Sequence, residues 1–200
     1  MRLITLPDDE AALLERSIGL SPLSVHDGAV EAYVRFPGFC LHLTPEEEHV
    51  VGMLDATRCS VRLQDPPEPD ETSIVARSLP AIIDVAVISS VVGCTPAVPA
   101  PATSILGTLI PAGLESQVLF LSPETVPGPI PGFALVDVGF RFRLSDGHSL
   151  LVATPGFTWF ISVVLGPWTP PWDWADWSTG FSLRPLGDAP PSRLTIGGVT

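Results

Sequence analysis

Lysine and asparagine are both missing from this chain of 200 residues, and tyrosine occurs once, at Tyr33. The lack of lysine excludes a Walker-A phosphate loop of the usual kind, a Schiff-base or pyridoxal-phosphate lysine, a kinase-type ATP lysine and a Ser-Lys dyad. The lack of asparagine excludes an N-glycosylation acceptor and a Cys-His-Asn arrangement, and it leaves positive φ angles to glycine and aspartate. Positive charge is scarce as well. Ten arginines stand against 22 acidic residues, for a net charge of -12. A basic face able to displace counterions along a phosphate backbone is hard to assemble from so few, and nucleic acid is not expected as a partner.

Cysteine is sparse. Cys40, Cys59 and Cys94 are odd in number and lack C-x-x-C spacing, so they read as buried free thiols and point to a reducing compartment. The opening residues, MRLITLPDDE, have no long apolar run before their acids. No secretory signal is read there, and a cytoplasmic location is the expectation. Long apolar runs are few. The uncharged stretch from Ser149 to Trp168 is divided by Pro155-Gly156, which favours two buried strands over a membrane hairpin.

Apolar residues make up 46% of the chain and charged residues 16%, a lean charge content for a core that a chain of this length can bury without disulfide or metal support. A single domain over 1–200 is expected. An apolar strand is predicted at Arg2 to Leu6, and a helix entered at Pro7-Asp8 whose acidic first turn suits the helix dipole and which Gly19 ends. Val30 to Phe36 and Phe39 to Leu43 read as a hairpin about Pro37-Gly38. A second helix is predicted next, with Thr44 as N-cap, Pro45 at the first helical position, Glu47 completing a capping box, and Val50, Val51 and Leu54 on its apolar face. Cys59 to Leu63 is a short strand, and the Pro66, Pro67, Pro69 and Glu71 region is a solvated loop.

From Ser78 to Val136 there is no basic residue, and the acids are Asp84, Glu115 and Glu124. Ile82 to Val92 and Gln117 to Leu121 are strands by β-branched content, joined by a stiff extended connector at Thr95 to Thr103. The strongest alternation runs from Ala134 to Leu144. Ala134, Val136, Val138, Phe140, Phe142 and Leu144 share one face, and Asp137, Gly139, Arg141 and Arg143 the other. Asp146-Gly147 reads as a two-residue turn that sets Phe142 against Leu151 and Phe140 against Ala153. With a third strand at Phe157 to Leu165, residues 134–165 form a predicted meander. The fold class expected is α+β, predominantly antiparallel β, as a sandwich or partly open barrel with two short helices in the N-terminal half.

Four tryptophans crowd into WTPPWDWADW, where Trp168, Trp172, Trp174 and Trp177 are interleaved with Asp173 and Asp176. Such a run fits a partner-binding surface, since indoles anchor interfaces; the residues favour more a C-terminal cover whose indoles shield the sheet, and the two readings can coexist. Glu46-x-x-His49, with His42 upstream, would place two metal-capable side chains one helical turn apart, but a di-metal site needs a second such motif and further glutamates. No metal and no cofactor are expected. No G-x-S-x-G motif occurs, His26-Asp27 is merely adjacent, and His148 beside the hairpin turn reads as solvated. Asp84, alone in an apolar strand, calls for an arginine partner, and Arg141 and Arg143 are the candidates.

These features favour a non-catalytic protein-interaction module, an inhibitor, adaptor or immunity-type protein that uses an acidic, tryptophan-rich surface to hold a protein partner. The alternative is a structural assembly subunit of a virion or other repeating shell, for which the charge-poor stretch from Ser78 to Val136 would suit subunit burial, with a homo-oligomer as its consequence. A small hydrolase with a site around His42, Glu46 and His49 is the third reading.

Overall fold

The computed structural model describes residues 2–50, 54–64, 74–96, 116–121, 133–154, 160–167 and 181–188. Period-two alternation dominates them. The elements in chain order are β1 (Arg2–Ile4), α1 (Asp8–Glu15), β2 (Ser24–Asp27), β3 (Ala32–Phe36), β4 (Phe39–Val50), β5 (Leu54–Leu63), β6 (Ile74–Arg77), β7 (Ile82–Pro96), β8 (Ser116–Leu121), β9 (Phe133–Leu144), β10 (His148–Ala153), β11 (Ser162–Pro167) and β12 (Phe181–Pro185).

Two open sheets result. The smaller has the order β5-β4-β3-β2-β6; the larger has β11-β10-β9-β7-β12, with β1 parallel to β9 and β8 antiparallel to β7. All other pairings are antiparallel. The sheets share a core. Val25, Ala32, Val34, Phe36, Leu41, Leu43, Cys59 and Val61 come from the smaller sheet, and Ile82, Val85, Val87, Phe140, Phe142, Leu144, Leu150 and Val152 from the larger. Leu14 of α1 is fully buried in the same core. Each large side chain so buried contributes on the order of 1.5–3 kcal/mol relative to exposure.

The predicted second helix is not formed, and α1 is the helix among the described residues. Thr44 to Val50 instead continues β4, paired residue by residue with β5 from Leu41↔Leu63 to Val50↔Leu54. A helix cap is worth about 1 kcal/mol, and distant partners outcompete it here. The Thr44 hydroxyl lies 2.9 Å from that of Ser60, and Glu46 is bound to Arg58 and Arg62. Pro45 is tolerated because β3 ends its pairing with β4 at Ala32↔Leu43, so β4 beyond that point is paired on one side by β5. Val51 lies outside the described residues.

The β3–β4 hairpin turns at Pro37-Gly38 as expected, with Gly38 at φ +88°. The β9–β10 hairpin forms with a different register. Its connection is Ser145-Asp146-Gly147, three residues with Gly147 at φ +90°, and it sets Phe142 against Leu150 and Phe140 against Val152. The third residue shifts every pair by one. The Ser145 amide donates to the Ala81 carbonyl at 2.8 Å, which holds it out of the β9–β10 ladder. The third meander strand is described as Ser162–Pro167, with 157–159 of the predicted strand outside the described residues and 160 and 161 not in it, and the uncharged 149–168 stretch does contain two strands. No helix among the described residues is long and apolar enough to cross a membrane. The Thr95 to Thr103 connector and the Pro66 to Glu71 loop lie outside the described residues, except that Thr95 and Pro96 complete β7.

Candidate functional site

The alternation that sends Val34, Leu41, Leu43 and Val61 into the core sends Tyr33, Arg35, His42, Glu46, Arg58 and Arg62 to the other face of the smaller sheet. Register lines them up across strands. One row runs His26, Tyr33, His42, Arg62 through β2, β3, β4 and β5; the next runs Arg77, Ser24, Arg35, Cys40 through β6, β2, β3 and β4. Four of the chain's ten arginines, Arg35, Arg58, Arg62 and Arg77, therefore share this face.

Tyr33 and His42 stack with ring centroids 4.5 Å apart and planes 9° from parallel. Glu31 serves both. His42 Nε2 donates to Glu31 Oε2 at 2.8 Å, and the Tyr33 hydroxyl bonds to the same side chain. Burial pushes the Tyr33 phenol up to about 12, and the Glu31 hydrogen bond and charge act in the same direction. His42 Nδ1, the other ring nitrogen, is buried and has no hydrogen-bond partner among the described residues. A carboxylate-oriented imidazole with a bare nitrogen is the chemistry of a general base. Here the ring is largely covered by Tyr33 and its neighbours, which leaves it little access to a substrate.

Beside it, His26 Nε2 lies 3.0 Å from the Ser24 hydroxyl. Burial lowers the His26 pKa, and the positive charges of Arg35 and Arg77 lower it further. At the far edge, Arg58 ties α1 to the sheet. It donates to Glu10 Oε2 at 2.8 Å and to Glu46 Oε2, and Glu10 Oε2 also accepts the Val61 N–H at 2.8 Å. Burial opposes the Arg58 charge, but the carboxylates of Glu10, Glu46 and Glu48 more than offset it and the pKa is raised. Glu46 Oε1 takes Arg62 at 3.1 Å as well.

These contacts correct the proposed His42, Glu46 and His49 site. On a strand the one-turn spacing of Glu46 and His49 is lost, Glu46 is occupied by two arginines, and His42 is bound to Glu31. Among the described residues no group of three or more His, Cys, Asp and Glu side chains could hold a metal ion. Cys40 and Cys59 are buried, and burial pushes the Cys59 thiol far up; Cys94 has no described side chain.

On the larger sheet, Asp84 finds the expected arginines, with Arg141 at 3.4 Å and Arg143 at 3.7 Å, on a half-open surface. His148 is exposed beside Asp146, as expected. Asp137 departs from expectation. Predicted on a half-solvated face, it is fully buried, with the Leu6 amide, the Ser89 hydroxyl and the Arg184 side chain gathered on its carboxylate. Its Oδ2 accepts the Leu6 N–H at 2.8 Å and the Arg184 guanidinium, and its Oδ1 accepts the Ser89 hydroxyl at 2.6 Å.

Trp168, Trp172, Asp173, Trp174, Asp176 and Trp177 lie outside the described residues, in the connection between β11 and β12. The sequence alone does not single out Glu31, and it marks Tyr33 only as the one tyrosine and His26 only as the neighbour of Asp27. The available signal was the polar alternation of Cys40, His42, Thr44 and Glu46 with Leu41 and Leu43, which the apparent capping box obscured. Comparison with protein-family models, curated proteins and solved structures finds no match to this chain.

Proposed function

We propose that the chain is a non-catalytic protein-interaction module of the inhibitor, adaptor or immunity type, engaging a protein partner through Trp168, Trp172, Asp173, Trp174, Asp176 and Trp177. The observation that carries this reading is how the run is tethered. β11 ends at Pro167 and β12 begins at Phe181, and these strands stand at opposite ends of the order of the larger sheet. A connection held at both ends by paired strands is where recognition residues are placed on a rigid scaffold. Stiff indoles supply anchors, the aspartates a polar rim, and a net charge of -12 steers a basic partner toward it.

Affinity capture from the native source tests it, comparing the unaltered chain with a variant in which Trp168, Trp172, Trp174 and Trp177 are serine. A protein enriched by the first and lost with a folded second supports the reading; identical captured sets would refute it. A structural assembly subunit is the second reading, favoured by the edge strand β11, which among the described residues pairs with β10 alone and exposes Val164. Light scattering after size-exclusion chromatography separates the two: a monomer or small oligomer for the module, a large or ring-like particle for the subunit.

A further inference from the structure

We infer that α1 is a removable guard on the edge of the smaller sheet, and that β5, once the helix lifts, pairs edge to edge with β5 of a second copy of this chain. The direction of the backbone groups defines the edge. The Gln64 amide donates to the Cys40 carbonyl at 3.3 Å, on the β4 side. Successive amides of a strand point to opposite sides, so those of Arg62, Ser60 and Arg58 face β4 and those of Leu63, Val61, Cys59 and Thr57 face away from it. The Val61 amide does face away, and it donates to Glu10 Oε2 of α1 at 2.8 Å. A helix carboxylate thus takes the place of a neighbouring strand's carbonyl.

Among the described residues β5 and β6 are the two ends of the smaller sheet. β6 has four residues and offers little to pair with, whereas β5 has ten, enough to act as a template for a further strand unless something covers it. α1 lies against β5 and is that cover. Its hold is slight. It is eight residues long, too short to be stable as a helix by itself, and Leu14 is its buried residue. Glu10 supplies the polar tie, accepting both the Val61 amide and Arg58 on one oxygen. When the helix lifts, Arg58 keeps Glu46 and is not stranded, whereas the Val61 amide gives up its acceptor. A strand from another molecule supplies one. Edge pairing is made by backbone groups, so an identical strand suffices, and two antiparallel β5 strands related by a two-fold axis give each copy the same contacts. This device is separate from the tryptophan run and does not depend on it.

Amide hydrogen exchange of the unaltered full chain, followed by NMR in urea below the unfolding transition, tests the guard without any substitution. The Val61 amide is expected to exchange together with the Ala11 and Arg16 amides, which bond to the carbonyls of Pro7 and Ala12, while those of Ser60 and Arg62 exchange only as the whole chain unfolds. Exchange of Val61 in step with Ser60 and Arg62 would overturn the guard. Glu10→Ala then removes the acceptor and Glu10→Gln keeps one, with near-ultraviolet circular dichroism reporting that each is folded. Glu10→Ala is expected to speed Val61 exchange about tenfold. Its mass by light scattering should rise with concentration toward twice that of the unaltered chain, and Glu10→Gln should keep the unaltered mass. Faster Val61 exchange with no gain in mass would overturn the pairing, as would equal association of the two variants. Leu63→Pro, which removes an outward amide at an exposed position, is expected to weaken association when added to Glu10→Ala; association undiminished by it would refute the β5 contact.

Discussion

Asp137 is fully buried and holds four segments together: the β1–α1 connection through the Leu6 amide, β7 through Ser89, β12 through Arg184, and its own strand β9. Replacing it with alanine leaves the Arg184 guanidinium, itself mostly buried, without its carboxylate. Removing one partner of a buried pair costs about 3–5 kcal/mol. The Leu6 N–H and Ser89 hydroxyl lose their acceptor too, and a stranded buried donor costs about 1–3 kcal/mol. Because the terms overlap, Asp137→Ala is expected to destabilise by about 4 kcal/mol, a large share of the roughly 5–15 kcal/mol that holds a typical domain. Arg184→Met should be of comparable severity, since it strands the carboxylate instead. The double variant should cost less than the sum of the two, because neither charge is then left alone. Urea unfolding followed by circular dichroism measures all three. A loss below about 1 kcal/mol for Asp137→Ala, or strict additivity of the pair, would refute the reasoning.

Tyr33 is the sole tyrosine, so its ionisation can be read directly from the ultraviolet absorbance of the folded chain. A midpoint near 12 is expected, against an ordinary value of 10.0 once unfolded. Because the folded value is the higher, its stabilising contribution is complete below about pH 10 and is lost as pH rises from there toward 12. A folded-state midpoint at the ordinary value would contradict the Glu31 contact. His26 has the opposite sign. Its folded pKa is lowered from 6.5, so as pH falls below 6.5 the unfolded chain takes up the proton first and stability drops. His26→Gln should flatten that part of the stability profile, and an unchanged profile would count against burial of the neutral ring. Gly139 sits where a Cβ would lie 2.3 Å from the Ala153 Cβ and 2.4 Å from the Val152 carbonyl oxygen. Gly139→Ala must push β9 and β10 apart, at a cost of at least about 1–3 kcal/mol, visible as a lowered Tm; an unchanged Tm would show that this approach is looser.

Elements whose signals are local were legible in the sequence. Pro37-Gly38 marks the β3–β4 hairpin, and the Ala134 to Leu144 alternation marks β9. Where a local signal competed with distant partners, it misled. Thr44, Pro45 and Glu47 spell a helix start, yet Ser60, Arg58 and Arg62, up to sixteen residues away, take up Thr44 and Glu46 and draw the segment into β4. Short strands such as β2, β6 and β12 contain too few residues for their periodicity to register. The Glu31, Tyr33 and His42 group depends on which strands become neighbours, which is not written in any one segment. Asp84 was legible because a lone acid in an apolar strand demands a partner, and the nearby arginines were few.

The claim that the tryptophan run is a recognition surface is tested most directly by quenching tryptophan fluorescence with acrylamide in the free, folded chain. Four of the five tryptophans lie in that run. A recognition surface requires emission shifted toward the solvent-exposed value, with most of the intensity open to the quencher. Blue-shifted emission with nearly all indoles shielded would contradict it and assign the run to covering the sheet.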